Sequence, residues 1–111
     1  MRLIAAAALI LAGCTGSGTS PRESGRLLLQ QFGCGGCHSI PGVANARGTS
    51  GPPLARVHER AYLGGVLPNT PENMAQWIRH PQRFDPRTTM PAMGMTEGQA
   101  RDMVAYLMEA K

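Results

Sequence analysis

The chain has 111 residues, which is enough for one small domain. Its 11 basic and 7 acidic residues give a net charge of +4, and no basic run is interleaved with aromatic side chains, so the composition argues against a nucleic-acid-binding protein. The 14 glycines and 9 prolines indicate many turns, and a domain of this size is only marginally stable on its own hydrophobic core.

Residues 1–13 are predicted to form a lipoprotein signal peptide. Arg2 gives a positive start, and residues 3–12 contain only Leu, Ile and Ala, a run too short to span a bilayer as a helix. The small residues before Cys14 resemble a bacterial lipobox, in which the cysteine is lipidated after cleavage. An ordinary secretory cleavage, with Cys14 incidental, is the alternative. Either route exports the chain to the periplasm or the outer face of a membrane.

Residues 14–22 are predicted to form a flexible tether, because the segment after Cys14 contains only Gly, Ser, Thr, Pro and Arg. Its eight residues after the cysteine reach at most about 28 Å when fully extended. Residues 23–111 are then predicted to form one folded domain, held close to a membrane by the lipidated cysteine.

Two helices are predicted in the first half of this domain. Residues 24–32 contain a run of leucines and are followed by Gly33, a favourable residue just past a helix C-terminus. Residues 54–63 carry a shorter helical pattern. No alternating strand pattern stands out along the chain, so these two segments are expected to belong to a helical fold.

Two further helices are predicted in the second half. One begins at Thr70, with Pro71 at the first helical position, and ends before Pro81. The other begins at Thr96, where Thr-x-x-Gln forms a capping-box pattern, and an apolar stripe continues to Ala110. The predicted fold class is therefore all-α.

The sequence Cys34-Gly35-Gly36-Cys37-His38 follows the first predicted helix directly. It has the C-x-x-C-H spacing of c-type haem attachment, in which two thiols add to the porphyrin vinyl groups and the histidine binds the iron. A buried porphyrin would also fill the core of a chain that has few aromatic residues. The motif therefore predicts one covalently bound haem c.

Two other interpretations of this motif remain open at this point. A redox-active dithiol would use the same C-x-x-C spacing, although that motif belongs at a strand-to-helix turn and no strand is predicted before Cys34. A structural zinc site would need a second pair of ligands, and the other histidines, His58 and His80, are isolated in the sequence.

A haem iron bound by a histidine also has a sixth position, and five side chains are candidates for it: Met90, Met93, Met95, His58 and His80. Met90 lies in an irregular segment between the last two predicted helices, from which a thioether can reach a metal. Met93 and Met95 are expected to fill core space, as most methionines do. His58 is expected to be exposed, and His80 to complement a helix dipole.

Several motifs occur in the order and spacing of a class I cytochrome c: residues 34–38, 51–54, Arg60, 77–81, 90–91 and 106–107. Residues 24–110 resemble in particular the haem c domain of subunit II of bacterial haem–copper oxidases. The resemblance implies three to four helices around one haem attached through Cys34 and Cys37. It also implies that His38 and Met90 are the two iron ligands, since Met90 follows Pro81 at the spacing usual in that family.

The resemblance assigns further contacts around the haem. The carbonyl of Pro52 would accept a hydrogen bond from Nδ1 of His38 and so fix the tautomer that binds through Nε2. Four other residues would contact the haem or its propionates: Leu54, Arg60, Trp77 and Thr88. At Arg87 the sequence departs from the family, which usually has glycine there. Arginine disfavours a positive φ, so a different local turn is expected before Thr88.

The function implied by the resemblance is that of an electron-transfer protein, not itself an enzyme, that carries single electrons in a respiratory chain. A terminal oxidase would be the acceptor, and a quinol-oxidising complex or a dehydrogenase the donor. The chain is expected to be a monomer with a modest positive charge that suits acidic partners. The alternatives are a haem subunit of a periplasmic dehydrogenase complex and a gas- or peroxide-binding protein with a labile methionine.

Overall fold

The computed structural model describes residues 13, 16 and 18–111 of the chain. It contains four α-helices, two 3₁₀ turns and one small hairpin within those residues. The helices are α1 (Pro21–Gln31), α2 (Pro71–Arg79), α3 (Pro81–Phe84) and α4 (Glu97–Leu107). The 3₁₀ turns are Cys34–Gly36 and Val57–Glu59, and the hairpin strands are β1 (Tyr62–Leu63) and β2 (Leu67–Pro68). In this part of the chain, no helix has the length and apolar character needed to cross a bilayer.

Helix α1 begins three residues before its predicted start. The Ser20 hydroxyl accepts a hydrogen bond from the Glu23 backbone N–H at 3.2 Å, and Pro21 occupies the first helical position. Pro21 and Arg22 therefore belong to the helix, although the sequence assigned them to the tether of residues 14–22. The predicted signal peptide and lipid site rest on residues 1–12 and Cys14, which lie outside the described residues.

The starts of α2 and α4 are as predicted. The Thr70 hydroxyl accepts from the Asn73 backbone N–H at 3.1 Å. At α4, the Thr96 hydroxyl accepts from the Gln99 N–H and the Gln99 side chain accepts from the Thr96 N–H, which completes a capping box. Both caps are local to the sequence, which explains why the sequence predicts them well.

The predicted helix over residues 54–63 is wrong. Only Val57–Glu59 forms a 3₁₀ turn, and Arg56 before it has a φ of 57°, which is incompatible with an α-helix. Strand β1 then pairs with β2 in an antiparallel hairpin. Gly64 and Gly65 form its turn at φ values of 55° and 72°, a region that glycine adopts without strain.

The core is built where α1 crosses α4. Gly25 is buried at the crossing, and a Cβ atom added there would overlap the backbone carbonyl of Asp102. The apolar stripe predicted on α4 faces this core, and its buried members are Ala100, Met103, Val104, Leu107 and Ala110. The all-α fold is therefore confirmed, with the hairpin as a small addition.

We expect Gly25→Ala to destabilise the protein strongly, because the two helices would have to separate to admit the methyl group. The free energy of unfolding should fall by about 3 kcal/mol, which lowers the midpoint of thermal unfolding by more than about 10 °C. Gly98→Ala is the matched control, since Gly98 is also helical but its Cβ would have its nearest neighbour 4.0 Å away. The control should be neutral or stabilising by up to about 1 kcal/mol. Equal stability of the two variants would contradict the close crossing.

Candidate haem-binding cleft

An open cleft of about 370 Å³ lies between the end of α1, helix α2 and the two irregular segments that flank α2 and α3. Its lining is mostly apolar. It brings together all the haem-contact residues predicted from the sequence: Cys34, Cys37, His38, Pro52, Leu54, Arg60, Trp77, Thr88 and Met90. Residues that are up to 56 positions apart in the sequence thus meet in one place.

The two cysteines are delivered by the end of α1. Gly33 adopts a left-handed φ of 71°, which stops the helix, and the 3₁₀ turn Cys34–Gly36 follows at once. Neither cysteine forms a disulfide with another described residue; Cys34 is half-buried and Cys37 is exposed. Burial raises the pKa of the Cys34 thiol, which favours its neutral form.

The cysteine loop is held by backbone contacts with the segment that follows it. The Gly48 N–H donates to the Gly35 carbonyl at 2.9 Å, and the Gly51 N–H donates to the Cys37 carbonyl at 2.7 Å. A Cβ atom at Gly35 would lie 2.6 Å from Cα of Ala46, so this glycine is required by the close approach of two backbones. These contacts hold the cysteine loop in place against residues 46–51.

The imidazole of His38 is oriented by the segment at residues 51–52. Its Nδ1 lies 2.7 Å from the carbonyl oxygen of Pro52, which is the contact that the sequence predicted. Because a carbonyl oxygen only accepts, Nδ1 carries the proton and Nε2 keeps a free lone pair. Gly51 lies against the ring, and a Cβ there would be 2.5 Å from Cε1 of His38.

The backbone of Met90 is held at both of its polar groups. Its N–H donates to the Thr88 hydroxyl at 3.3 Å, and its carbonyl accepts from Nε2 of Gln82 at 2.6 Å. Thr88 therefore keeps its own hydroxyl proton available as a donor. Sequence reasoning missed Gln82, because nothing in a single polar residue of a short helix shows which loop it will contact.

The other predicted residues form the walls of the cleft. Trp77 is packed by the hairpin, since a Cβ at Gly64 would overlap the indole ring. Arg60 donates a hydrogen bond to the carbonyl of Pro53, and no carboxylate of the described residues forms an ion pair with it. An arginine that lines an apolar cleft without an acidic partner is suited to bind an anionic group. Asn69, which sequence reasoning also missed, supports this wall by donating to the carbonyl of Arg60 at 2.9 Å.

Arg87 stands where the family usually has glycine, and the structure forms a different turn there, as expected. Arg87 does not have a positive φ, and its N–H donates to Oδ1 of Asp85 at 3.1 Å. An aspartate that bonds the backbone two residues later forms a turn without glycine. Thr88 and Met90 both line the cleft beyond this turn.

The remaining candidate iron ligands fall into two groups. Met93 and Met95 line the cleft, whereas His58 and His80 do not. His58 is half-buried, contrary to the exposed position expected of it. His80 caps the end of α2, and its pKa is lowered by burial and by the neighbouring charges of Arg83 and Arg79.

Comparison with known proteins agrees with this geometry. The sequence matches the profile of the cytochrome c family over residues 23–111. It is 35% identical over 90 residues to cytochrome c oxidase subunit 2 of Alkalihalophilus pseudofirmus, covering 80% of this chain and 25% of that protein. It is 30% identical over 82 residues to cytochrome c oxidase subunit 2 of Bacillus sp. strain PS3, covering 70% of this chain and 23% of that protein.

The chain therefore belongs to the cytochrome c family, and the resemblance seen in the sequence is confirmed. It spans about a quarter of the length of the curated relatives that it matches. Family membership implies covalently bound haem c and supports a role in haem electron transfer. The donor set of the cleft fits this group, because it offers two thiols, an imidazole with Nε2 free and a thioether among apolar walls.

We expect Gly51→Ala to disturb the imidazole of His38, because the added methyl group would push the ring away from the Pro52 carbonyl. The variant should lose about 1–3 kcal/mol of unfolding free energy and show an altered visible spectrum of the haem protein. Gly36→Ala is the control, since a Cβ at Gly36 meets nothing within 4 Å although the residue lies in the same motif. The same spectrum and the same melting temperature in both variants would show that Gly51 does not position the ring.

Proposed function

We propose that this chain is a membrane-tethered monohaem c-type cytochrome that carries single electrons in a respiratory chain and delivers them to a terminal cytochrome oxidase. The observation that carries the proposal is the convergence of Cys34, Cys37, His38 and Met90 on one cleft. Thioether bonds from the two cysteines would hold the haem, and the histidine and methionine would supply the ligands of its iron. The alternatives raised by the sequence, a dithiol and a zinc site, do not account for Met90 or for the apolar walls.

The haem supplies the one-electron Fe(II)/Fe(III) couple when it is bound. The chain supplies the environment of that couple. The Pro52 carbonyl holds the proton of His38 on Nδ1, so that Nε2 is available as the ligand. Gln82 and Thr88 hold the backbone of Met90, so that its thioether is presented from a fixed point of the loop. With both ligands supplied by the protein, the iron would have no open position for small external molecules, so the proposed role is electron transfer and not gas binding or catalysis.

The walls of the cleft restrict water and recognise charge. Leu54 and Trp77 present apolar surface to the cleft, which lowers the local dielectric and favours methionine as a ligand. Arg60 is proposed to pair with a haem propionate, since its guanidinium has no acidic partner in the described part of the chain. Thr88 is proposed to donate its remaining proton to a propionate.

Export and anchoring are proposed from the sequence. Residues 1–13 would be removed as a lipoprotein signal peptide, and Cys14 would carry the lipid that holds the domain at the periplasmic or outer face of a membrane. Several acyl chains on one cysteine anchor firmly, whereas a single chain would bind only marginally. Because α1 already begins at Pro21, the tether between lipid and domain is shorter than residues 14–22.

The proposed acceptor follows from the relatives, both of which are named cytochrome c oxidase subunit 2. In each of them the similar region is about a quarter of the protein, so this chain would act as the corresponding domain on a separate tether. The donor would be a quinol-oxidising complex or a dehydrogenase. Brief encounters with acidic surfaces would be steered by the positive charge of the chain.

We expect the protein, when it is produced together with a haem-maturation system, to carry haem that stays attached on a denaturing gel stained for haem peroxidase activity. Cys34→Ala/Cys37→Ala should abolish the stain, because no thiol is left in the cleft to form a thioether. Cys14→Ser is the matched cysteine control: it should keep the stain and shift the protein from the membrane fraction to the soluble fraction. A stained double variant would contradict the attachment residues, and a membrane-bound Cys14→Ser would contradict the lipid anchor.

We expect the reduced protein to be oxidised rapidly by membranes that contain an active haem–copper oxidase, and cyanide to block this reaction. Raising the ionic strength should slow it, because steering between exposed charges is screened. Arg87→Glu, beside the cleft, should slow the reaction more than Arg101→Glu on α4, which is the same charge reversal at an arginine that pairs with Glu97. If the reduced protein stays reduced while the oxidase consumes another donor, the proposed acceptor is wrong.

A further inference from the structure

Three thioethers line the cleft within one short segment, Met90-Pro91-Ala92-Met93-Gly94-Met95. Their burial differs. Met95 is only 5% exposed and belongs to the core, and Met90 is half-buried. Met93 also lines the cleft but is not part of the buried core. The usual role of a methionine, to fill a gap in the core, therefore accounts for Met95, whereas Met93 presents its thioether to the cleft without belonging to the core.

The backbone around Met93 has few hydrogen-bond constraints. In the described part of the chain, residues 89–95 take part in no backbone–backbone hydrogen bond. Residues 91–94 are all exposed, and Gly94 has a φ of 73° with no atom within 4 Å of the position a Cβ would occupy. A segment without backbone hydrogen bonds rearranges at a lower free energy than a helix does. Rearrangement there would not disturb the helices on either side.

The segment is anchored at its two ends. On one side, Gln82 and Thr88 hold the backbone of Met90. On the other side, Met95 is buried and directly precedes the capping box of α4. Met93 lies between these anchors and already lines the cleft, so a local rotation would be enough to bring its thioether toward the position of Met90. Moving Met95 instead would expose its buried surface and pull on the start of α4.

We propose that Met93 is a second axial thioether, which exchanges with Met90 at the same position of the haem iron. This inference rests on the proposed function, since it requires a haem in the cleft. Both side chains offer the same soft sulfur donor, so exchange keeps the character of the site while the identity of the ligand changes. The consequence is that loss of Met90 alone leaves the iron largely closed to external ligands.

The test compares haem-loaded proteins: the unmodified chain, Met90→Ala, Met93→Leu, Met90→Ala/Met93→Leu and Met90→Ala/Met95→Leu. Leucine keeps the volume of methionine and removes the sulfur. The first readout is the weak far-red absorption band of a ferric haem with a thioether ligand. The second is the affinity of the ferrous protein for carbon monoxide, which competes with any internal ligand for the sixth position. Thermal unfolding and circular dichroism of each variant verify that it is folded.

We expect Met90→Ala and Met90→Ala/Met95→Leu to retain part of the far-red band, and Met90→Ala/Met93→Leu to lose it. If Met93 occupies the iron in about 90% of the Met90→Ala molecules, their apparent dissociation constant for carbon monoxide should be about tenfold higher than that of Met90→Ala/Met93→Leu. Met93→Leu alone should keep the band.

Two kinds of failure are distinguishable. If the unmodified protein has the band while Met90→Ala loses it and binds carbon monoxide as tightly as Met90→Ala/Met93→Leu, then Met93 does not exchange and the proposed function stands. A band that survives in Met90→Ala/Met93→Leu, or disappears only with Met95→Leu, also overturns the role of Met93. If the unmodified protein itself lacks the band and binds carbon monoxide readily, the His38/Met90 ligand pair of the proposed function is wrong.

Discussion

The structure depends on the close crossing of α1 and α4. Gly25 of α1 lies so close to α4 that no side chain fits between this residue and the backbone of Asp102. This contact fixes the direction of α1, and α1 runs through Gly33 directly into the cysteine loop. The position of Cys34, and with it one end of the cleft, is therefore set by a helix packing contact outside the lining of the cleft.

The features that the sequence predicted best are local ones. The caps at Thr70 and Thr96 depend on residues three positions apart, and the stop at Gly33 depends on one residue that tolerates a left-handed conformation. The motif at residues 34–38 is also local, and its chemistry follows from its spacing. The contact between His38 and Pro52 spans a longer distance, and only the resemblance to a family made it predictable.

The features that the sequence did not predict are set by tertiary contacts. The segment over residues 54–63 has helical spacing, yet it forms a short turn and half of a hairpin, because Asn69 bonds the carbonyls of Val57 and Arg60 from outside the segment. Gln82 likewise supports Met90 from a separate helix. The sequence around Asn69 and around Gln82 does not indicate which carbonyl each amide will bond. These contacts can therefore be identified only in the folded structure.

The ion pair between Arg22 and Glu109, at 2.7 Å, joins the first turn of α1 to the residues just beyond α4. Arg22 also lies over the ring of Tyr106, with 5.3 Å between the guanidinium carbon and the ring centroid. The two ends of the fold therefore lie side by side. A domain whose ends are adjacent can be fused to another protein, or inserted into one, through short linkers. Neither arrangement requires a change in the ligand cleft.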